Sequence, residues 1–443
     1  MKKYLTSILL VLFTFSFTSP VYAKTVTDDP QEQAALEALL IDAELSWDDI
    51  KIIKNIVIDG RNDKGRLMVR RKDRTKKWPF MNMSDKKIYV NPDNKIIAIN
   101  IDGSGLKNIS AINHFKYMVF FSCKNCYIQK FDIISNLPKL DELQLSNTGT
   151  EEIGQMKNLP ELKFLDLSRN GIKKIQNLNS IPSLKELIME GVEINKLEGL
   201  ENLPNLEVLS IMDSGEDEQR INKLEGLDNL KNLKVLELYF QRIKKLEGLE
   251  NLTQLERLYL IESKIKKIEG LDNLRQLKIL GLKRNRIRKI ENLDNLTQLK
   301  TLYLDGNPIK KIENLDALTH LERLYLYSTD ISKIEGLDNL KSLKYLDLSF
   351  THITKIEGLD NLENLYELRL GDTKIRKMEG LNHLKNLVYL YLNDTPIEKL
   401  ENYENMTSLS YTVTRDMPNI TPADLEAFDA FTNKNLGRRL NSR

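Results

Sequence analysis

The 443-residue chain carries 66 basic against 64 acidic side chains, so no global field argues for a nucleic-acid or membrane-surface partner. After residue 23 no apolar stretch is long enough to cross a bilayer. At the start, Lys2 and Lys3 precede an apolar run from Tyr4 to Phe17, with Val21 and Ala23 at the small-residue positions of a cleavage site. Residues 1–23 therefore read as a bacterial-type secretory signal, and the mature chain is expected to be exported to the periplasm, the outer surface or the medium. No cysteine near the cut indicates a lipid anchor.

Residues 24–95 read as an α+β cap. Asp28 or Asp29 can cap a helix with Pro30 in its first turn, continued by AALEALLIDAEL, and Ser46 with Asp49 offers a second capping box ahead of IKIIKNIV. NIVIDG and GRLMVRR read as one hairpin, and KKIYV with KIIAINI, joined by NPDN, as another. Between the hairpins, residues 70–77 (RRKDRTKK) hold six bases and one acid. This segment is either a solvated loop or a patch for a glycan or other polyanion. DGRNDKG superficially resembles a calcium loop, but Arg61 and Lys64 stand where a ligand oxygen and a glycine are needed, so a hairpin turn accounts for it better.

From Ile96 one pattern returns every 22 residues. Units open at Ile96, Met118, Leu140, Leu162, Leu184 and Leu206 and, after five extra residues near 215–219, at Leu233 and each twenty-second residue to Leu387. That makes fourteen units over 96–408, with a truncated strand from Leu409. In the unit from Leu255 the apolar residues are Leu255, Leu258, Leu260, Ile265, Ile268, Leu271 and Leu274. The twofold spacing predicts one face of a short strand, and the later threefold spacing predicts a return in 3₁₀-like turns. No unit can bury its own apolar side alone, so each must stack on the next as one elongated domain.

Cys123 and Cys126 take inward positions six and nine of the second unit, where packed thiols, a disulfide, or redox and metal chemistry are all open readings. Columns of lysine (Lys223 to Lys399) and of glutamate two residues later (Glu225 to Glu401) read as a mutually compensating solvated edge. Residues 409–443 supply a C-terminal cap with a helix over 422–432, started by Thr421, Pro422 and Asp424 and presenting Leu425, Phe428 and Phe431.

LxxLxLxx(N/T)xI followed by KIEGLxNL resembles the leucine-rich repeat superfamily. The unit length is similar to that of bacterial internalins, and K-I-E-N-L resembles the leucine-rich regulatory subunit of protein phosphatase 1. The resemblance implies an α/β solenoid, an arc with a parallel concave sheet and a 3₁₀ and coil convex side, used for recognition. Phosphatase binding is not carried over, because a secretory signal would place the chain in the wrong compartment and the concave residues match no motif.

Positions three, five and seven of each unit point away from the core and line the concave face. From Leu233 onward they hold Tyr239, Tyr259, Tyr303, Tyr325, Tyr327, Tyr345, Tyr389 and Tyr391, half of the 16 tyrosines in the chain, with Arg257, Arg323 and Arg369 among them. The first six units hold none there and carry Asp102, Glu142, Asp166, Glu186 and Glu190 instead. An acidic half and a tyrosine half are therefore expected, the second binding a protein partner because tyrosine offers large contact area with few rotors to freeze. Strand preference favours tyrosine too, but does not explain its absence from the first six units. GxSxG, HExxH and GxxxxGK are absent, so the expectation is a non-enzymatic monomer that uses no cofactor or metal, with a glycan or polyanion binder through residues 70–77 as the alternative.

Overall fold

The unit from Leu255 shows how the repeat closes. Leu258 and Leu260 point from the strand Arg257–Ile261 into the core with no exposure, while Tyr259 between them emerges on the other face. Glu262, at φ 55°, turns the chain back. Ile265, Ile268, Leu271 and Leu274 then bury completely along the return. Backbone N–H groups of Leu274 and Leu277 reach the carbonyls three residues earlier at 3.0 Å, as the threefold spacing requires.

Adjacent coils approach closely at position sixteen, where the residue has positive φ. At Gly270 an added Cβ would lie 2.2 Å from the Leu246 carbonyl oxygen. Where the repeat has asparagine instead, the side chain uses the same approach: the Asn292 amide donates to Ile268 O at 2.6 Å and Asn314 to Ile290 O at 2.7 Å. The alternation of KIEGL and KIENL thus has one geometric cause.

In this computed structural model the described residues are 25–441, apart from 55, 62–66, 72–77, 80–85, 130 and 214–219. The signal segment 1–23, the basic run from Lys72 to Lys77, the turn of DGRNDKG and the five-residue excess lie outside them. Parallel strands succeed one another from Ile96–Asn100 to Tyr389–Tyr391, one in each of the fourteen units, followed by Tyr411–Val413. They belong to a 17-stranded sheet over one continuous apolar core that runs from Val26 to Phe428. The register keeps leucine beside leucine, as with Leu258, Leu280 and Leu302. On the convex side, Ile133–Ser135 pairs in parallel with Gln155–Lys157, a two-stranded addition where coil was expected.

Polar residues at position nine enter the core and satisfy its backbone. Asn285 donates to Leu260 O and Leu282 O at 2.8 and 3.0 Å, and Thr329, Thr351, Thr373 and Thr395 donate to carbonyls three residues earlier. Cys123 and Cys126 form a disulfide with 5.7 Å between their Cα atoms. Of the readings left open by spacing, packed thiols are thus corrected: the turn at Asn125, φ 56°, folds both inward side chains onto each other.

The N-terminal segment closes the first coil. Helix α1 (Pro30–Asp42) is capped by Asp29, whose carboxylate accepts from Gln31 and Glu32 N–H, and it buries Leu36, Leu39 and Leu40. Strand β1 (Lys51–Ile53) follows, then β2 (Ile56–Arg61) antiparallel to β3 (Leu67–Arg71), and β4 (Trp78–Pro79). The Ser46/Asp49 capping box opens only a 3₁₀ turn, Trp47–Asp49, because the β-branched run after it enters the sheet as β1. Strands β5 (Lys87–Val90) and β6 (Ile96–Asn100) form the second hairpin and lead into the array.

At the other end, helix α2 runs over Pro422–Asn441 and so passes the expected limit at residue 432. Its inner face continues beyond Leu425, Phe428 and Phe431 through Thr432, 5 % exposed, and Asn435, 3 % exposed. The Asn435 amide donates to the carbonyls of Met406 and Leu409 at 3.3 and 3.1 Å. Polar residues here serve the last coil's backbone, which an apolar periodicity does not register.

Candidate functional site

The two ends of the concave face differ in what covers them. In the first four units position three is buried throughout: Ala98, Phe120, Glu142 and Phe164. Ile56, at the start of β2, packs in one cluster with Tyr89, Ile97, Ala98 and Phe120. One member of the expected acidic half is thereby withdrawn from the surface. Glu142 is wholly buried, and Asp102 accepts from Ser122 Oγ at 2.6 Å and from Lys124 N–H at 2.7 Å. Asp166 and Glu186 are half-buried, and of the five only Glu190 is exposed.

From the seventh unit the face opens. Tyr239 stacks on Tyr259 with ring centroids 6.4 Å apart. Gly281 beside them has no side chain, and a Cβ there would meet the Tyr259 ring at 2.5 Å, so the glycine makes room for the ring. Tyr303 stacks on Tyr325 at 4.6 Å, with Lys283 Nζ 4.6 Å from the Tyr303 centroid and also 3.1 Å from the Asp305 carboxylate. Arg323 lies 4.8 Å over Tyr345, and Arg369 lies 4.7 Å over Tyr391 while holding Glu367 at 2.6 Å. Tyr327, 41 % exposed, meets Phe350, 49 % exposed, at 5.0 Å. Arg257 is exposed and close enough to Glu237 for their charges to attract.

Two tyrosines outside the expected set complete the row. Tyr366, at position two, bridges Tyr345 at 6.0 Å and Tyr389 at 5.3 Å, and Tyr411 on the closing strand meets Tyr389 and Tyr391 at 5.5 and 6.0 Å. Tyr411 is at position three of the truncated unit, so extending the count by one unit would have found it. Tyr366 is at position two, where the chain enters the strand, outside the positions counted as concave.

Burial pushes the phenols of Tyr259, Tyr325 and Tyr391 upward, and that of Tyr239 far upward with help from Glu237. These hydroxyls are therefore neutral donors and acceptors at ordinary pH. The Glu237 carboxyl is also pushed up by burial, opposed by the Ser210 hydroxyl at 3.1 Å and assisted by the Glu190 charge. Burial raises Asp305 as well, against the pull of Lys283. Rings already packed and pinned by cations lose little freedom when a partner covers them. Among the described residues no cluster of three or more His, Cys, Asp or Glu side chains could hold a metal ion. The two charged columns pair on the solvated edge at Lys223–Glu225 and Lys245–Glu247, both at 2.7 Å, and again at Lys333–Glu335 and Lys399–Glu401.

A family model described as leucine-rich repeats (2 copies) matches residues 231–274, 275–317 and 319–361. The chain is a leucine-rich-repeat solenoid. An internalin, InlF, from Listeria monocytogenes superposes with TM-score 0.58 at 24 % identity, over 71 % of this chain and 86 % of that one. A leucine-rich-repeat protein from Leptospira interrogans superposes with TM-score 0.62 at 21 % identity, over 75 % and 93 %. A plant peptide hormone receptor, RGFR1, in complex with RGF2, gives 0.50 at 21 %, over 65 % and 49 %. At such identities the solenoids share a fold and not a specificity. No curated protein matches the sequence.

Proposed function

We propose that this protein is an exported, non-enzymatic recognition protein that binds a protein partner on the tyrosine-lined half of its concave face. The observation that carries this reading is the aromatic row from Tyr239 to Tyr411, in which neighbouring units supply rings 4.6 to 6.4 Å apart with Lys283, Arg323 and Arg369 over them. A core does not need these rings, since the inward leucines already fill it. The plant receptor RGFR1, whose solenoid superposes on this chain, was solved in complex with RGF2, which supports a ligand held by such a scaffold.

Export is supported by the character of residues 1–23 and by a disulfide, a bond that persists in oxidising compartments. No helix among the described residues is long and apolar enough to cross a membrane. Affinity capture with the purified protein, read by mass spectrometry, names the partner. Replacing Tyr303, Tyr325 and Tyr327 with alanine then leaves the fold intact and weakens the captured partner ~100-fold or more, the loss expected when several aromatic anchors are removed. Unchanged affinity rejects the site. Binding that survives the triple variant but falls steeply with salt points instead to residues 70–77 and a polyanion.

A further inference from the structure

Position two of the repeat lies where the chain enters each strand, at the edge of the sheet. From Asp141 to Lys344 every unit is charged there, and neighbours pair across the coils: Lys163 with Asp141 at 3.1 Å, Lys278 with Glu256 at 2.9 Å and Lys344 with Glu322 at 3.1 Å. The next three residues in the column are Tyr366, Val388 and Ser410, all uncharged. The column is also uncharged in the first two units, at Ile97 and Val119, but there the N-terminal segment packs against it through Ile56.

At Tyr366, Val388 and Ser410 the surface instead opens into a groove of about 830 Å³. That lies within the range of roughly 300–1,000 Å³ typical of small-ligand sites. Val388, 5 % exposed, and Ser410, 8 % exposed, form its floor with the buried Asn435. Tyr345 and Tyr366 meet at 60°, and Asn435 joins from α2. Asn364 and Asn386 are fixed by amide donation to Lys341 O and Glu363 O, both at 2.8 Å, which leaves each Oδ1 as an acceptor of set orientation. Among the described residues the only charged side chain lining the groove is Lys344, which is matched by Glu322.

Two angled aromatic faces, fixed amides and a hydroxyl, with no uncompensated charge, suit a neutral ligand with apolar ring faces and many hydroxyls. An anionic group would lose its hydration without gaining a free cation. We propose that this groove binds a neutral saccharide. The groove shares Tyr345 and Tyr366 with the aromatic row proposed for a protein partner, but its floor, Val388 and Ser410, lies outside positions three, five and seven, so variants of the floor separate the two readings.

The test titrates the purified protein with neutral di- to tetrasaccharides of glucose, galactose and N-acetylglucosamine, and with a sulfated tetrasaccharide as the charged control, followed by saturation-transfer NMR. At least one neutral saccharide binds, with little dependence on salt. Tyr366→Lys restores the residue type that the column carries at Lys344, so the fold accommodates it; it weakens binding about ten-fold or more while the unfolding curve is unchanged. Ser410→Lys, which fills the floor, does the same and serves if Tyr366→Lys fails to fold. Tyr327→Ala leaves saccharide affinity unchanged, whatever it does to a protein partner. Binding of no neutral saccharide, binding of the sulfated control alone, or neutral binding indifferent to both lysine variants overturns the proposal. So does a groove variant that abolishes protein capture when no saccharide binds.

Discussion

Position three of the repeat is closed at one end of the arc and open at the other. Ala98, Phe120, Glu142 and Phe164 are buried there, whereas Arg323, Tyr345 and Tyr389 are only partly buried and Tyr411 is exposed. All of them leave the sheet on the face opposite the leucines, as the pleat dictates. The pleat does not determine whether such a side chain reaches water. That depends on what lies over it, as where the N-terminal segment lays Ile56 against the first two units.

Alanine scanning breaks this comparison most directly. Phe120→Ala, in the closed half, is expected to cost about 3–5 kcal/mol, as for a buried phenylalanine. Tyr345→Ala, at the same repeat position in the open half, removes ring and cation contacts worth no more than about 1.5 kcal/mol. Denaturant unfolding of both variants checks it, and equal losses would mean that the open half is covered as well.

A smaller effect follows from the disulfide. Later units place leucine and threonine at positions six and nine, as at Leu326 and Thr329. Cys123→Leu with Cys126→Thr therefore imports the open half's own pair into the closed half, and is expected to lose about 2 kcal/mol or less for so short a loop. Alkylation of the unreduced wild type, read by mass, is expected to add nothing.

Glu237 stands on the border between the halves, and burial raises its carboxyl from the ordinary value of 4.5. The folded state thus holds this proton more tightly than the unfolded chain does, so the group's contribution to stability declines as pH rises from 4.5 through the folded value. Glu237→Gln escapes that decline. Its unfolding midpoint relative to wild type is expected to rise between about pH 4 and about pH 7, and a constant difference would disprove the burial. The least effect belongs to the edge: Lys245→Ala breaks an exposed pair with Glu247, and thermal unfolding is expected to show no measurable shift.

Features with local determinants are legible in the amino-acid order. The threefold spacing after Ile265 became the 3₁₀ return, and the capped start at Thr421 and Pro422 became α2. Features in which distant residues must meet are the least legible there. Spacing alone could not say whether Cys123 and Cys126 bond, that Asn435 would prolong α2 to serve the Met406 carbonyl, or that Glu142 would be enclosed. Tyr366 lies outside positions three, five and seven, and its significance depends on the charged column it interrupts.

The coil is legible in the order of residues alone: a 22-residue period, one strand per turn, and leucines facing in, since each of these depends on contacts between a residue and its near neighbours or its counterpart one turn away. Which outward positions remain accessible is set by the packing of the whole chain. Covering is settled by segments far apart in the chain, such as Ile56 over Phe120 and α2 beside Ser410, and no periodicity records where those segments come to rest.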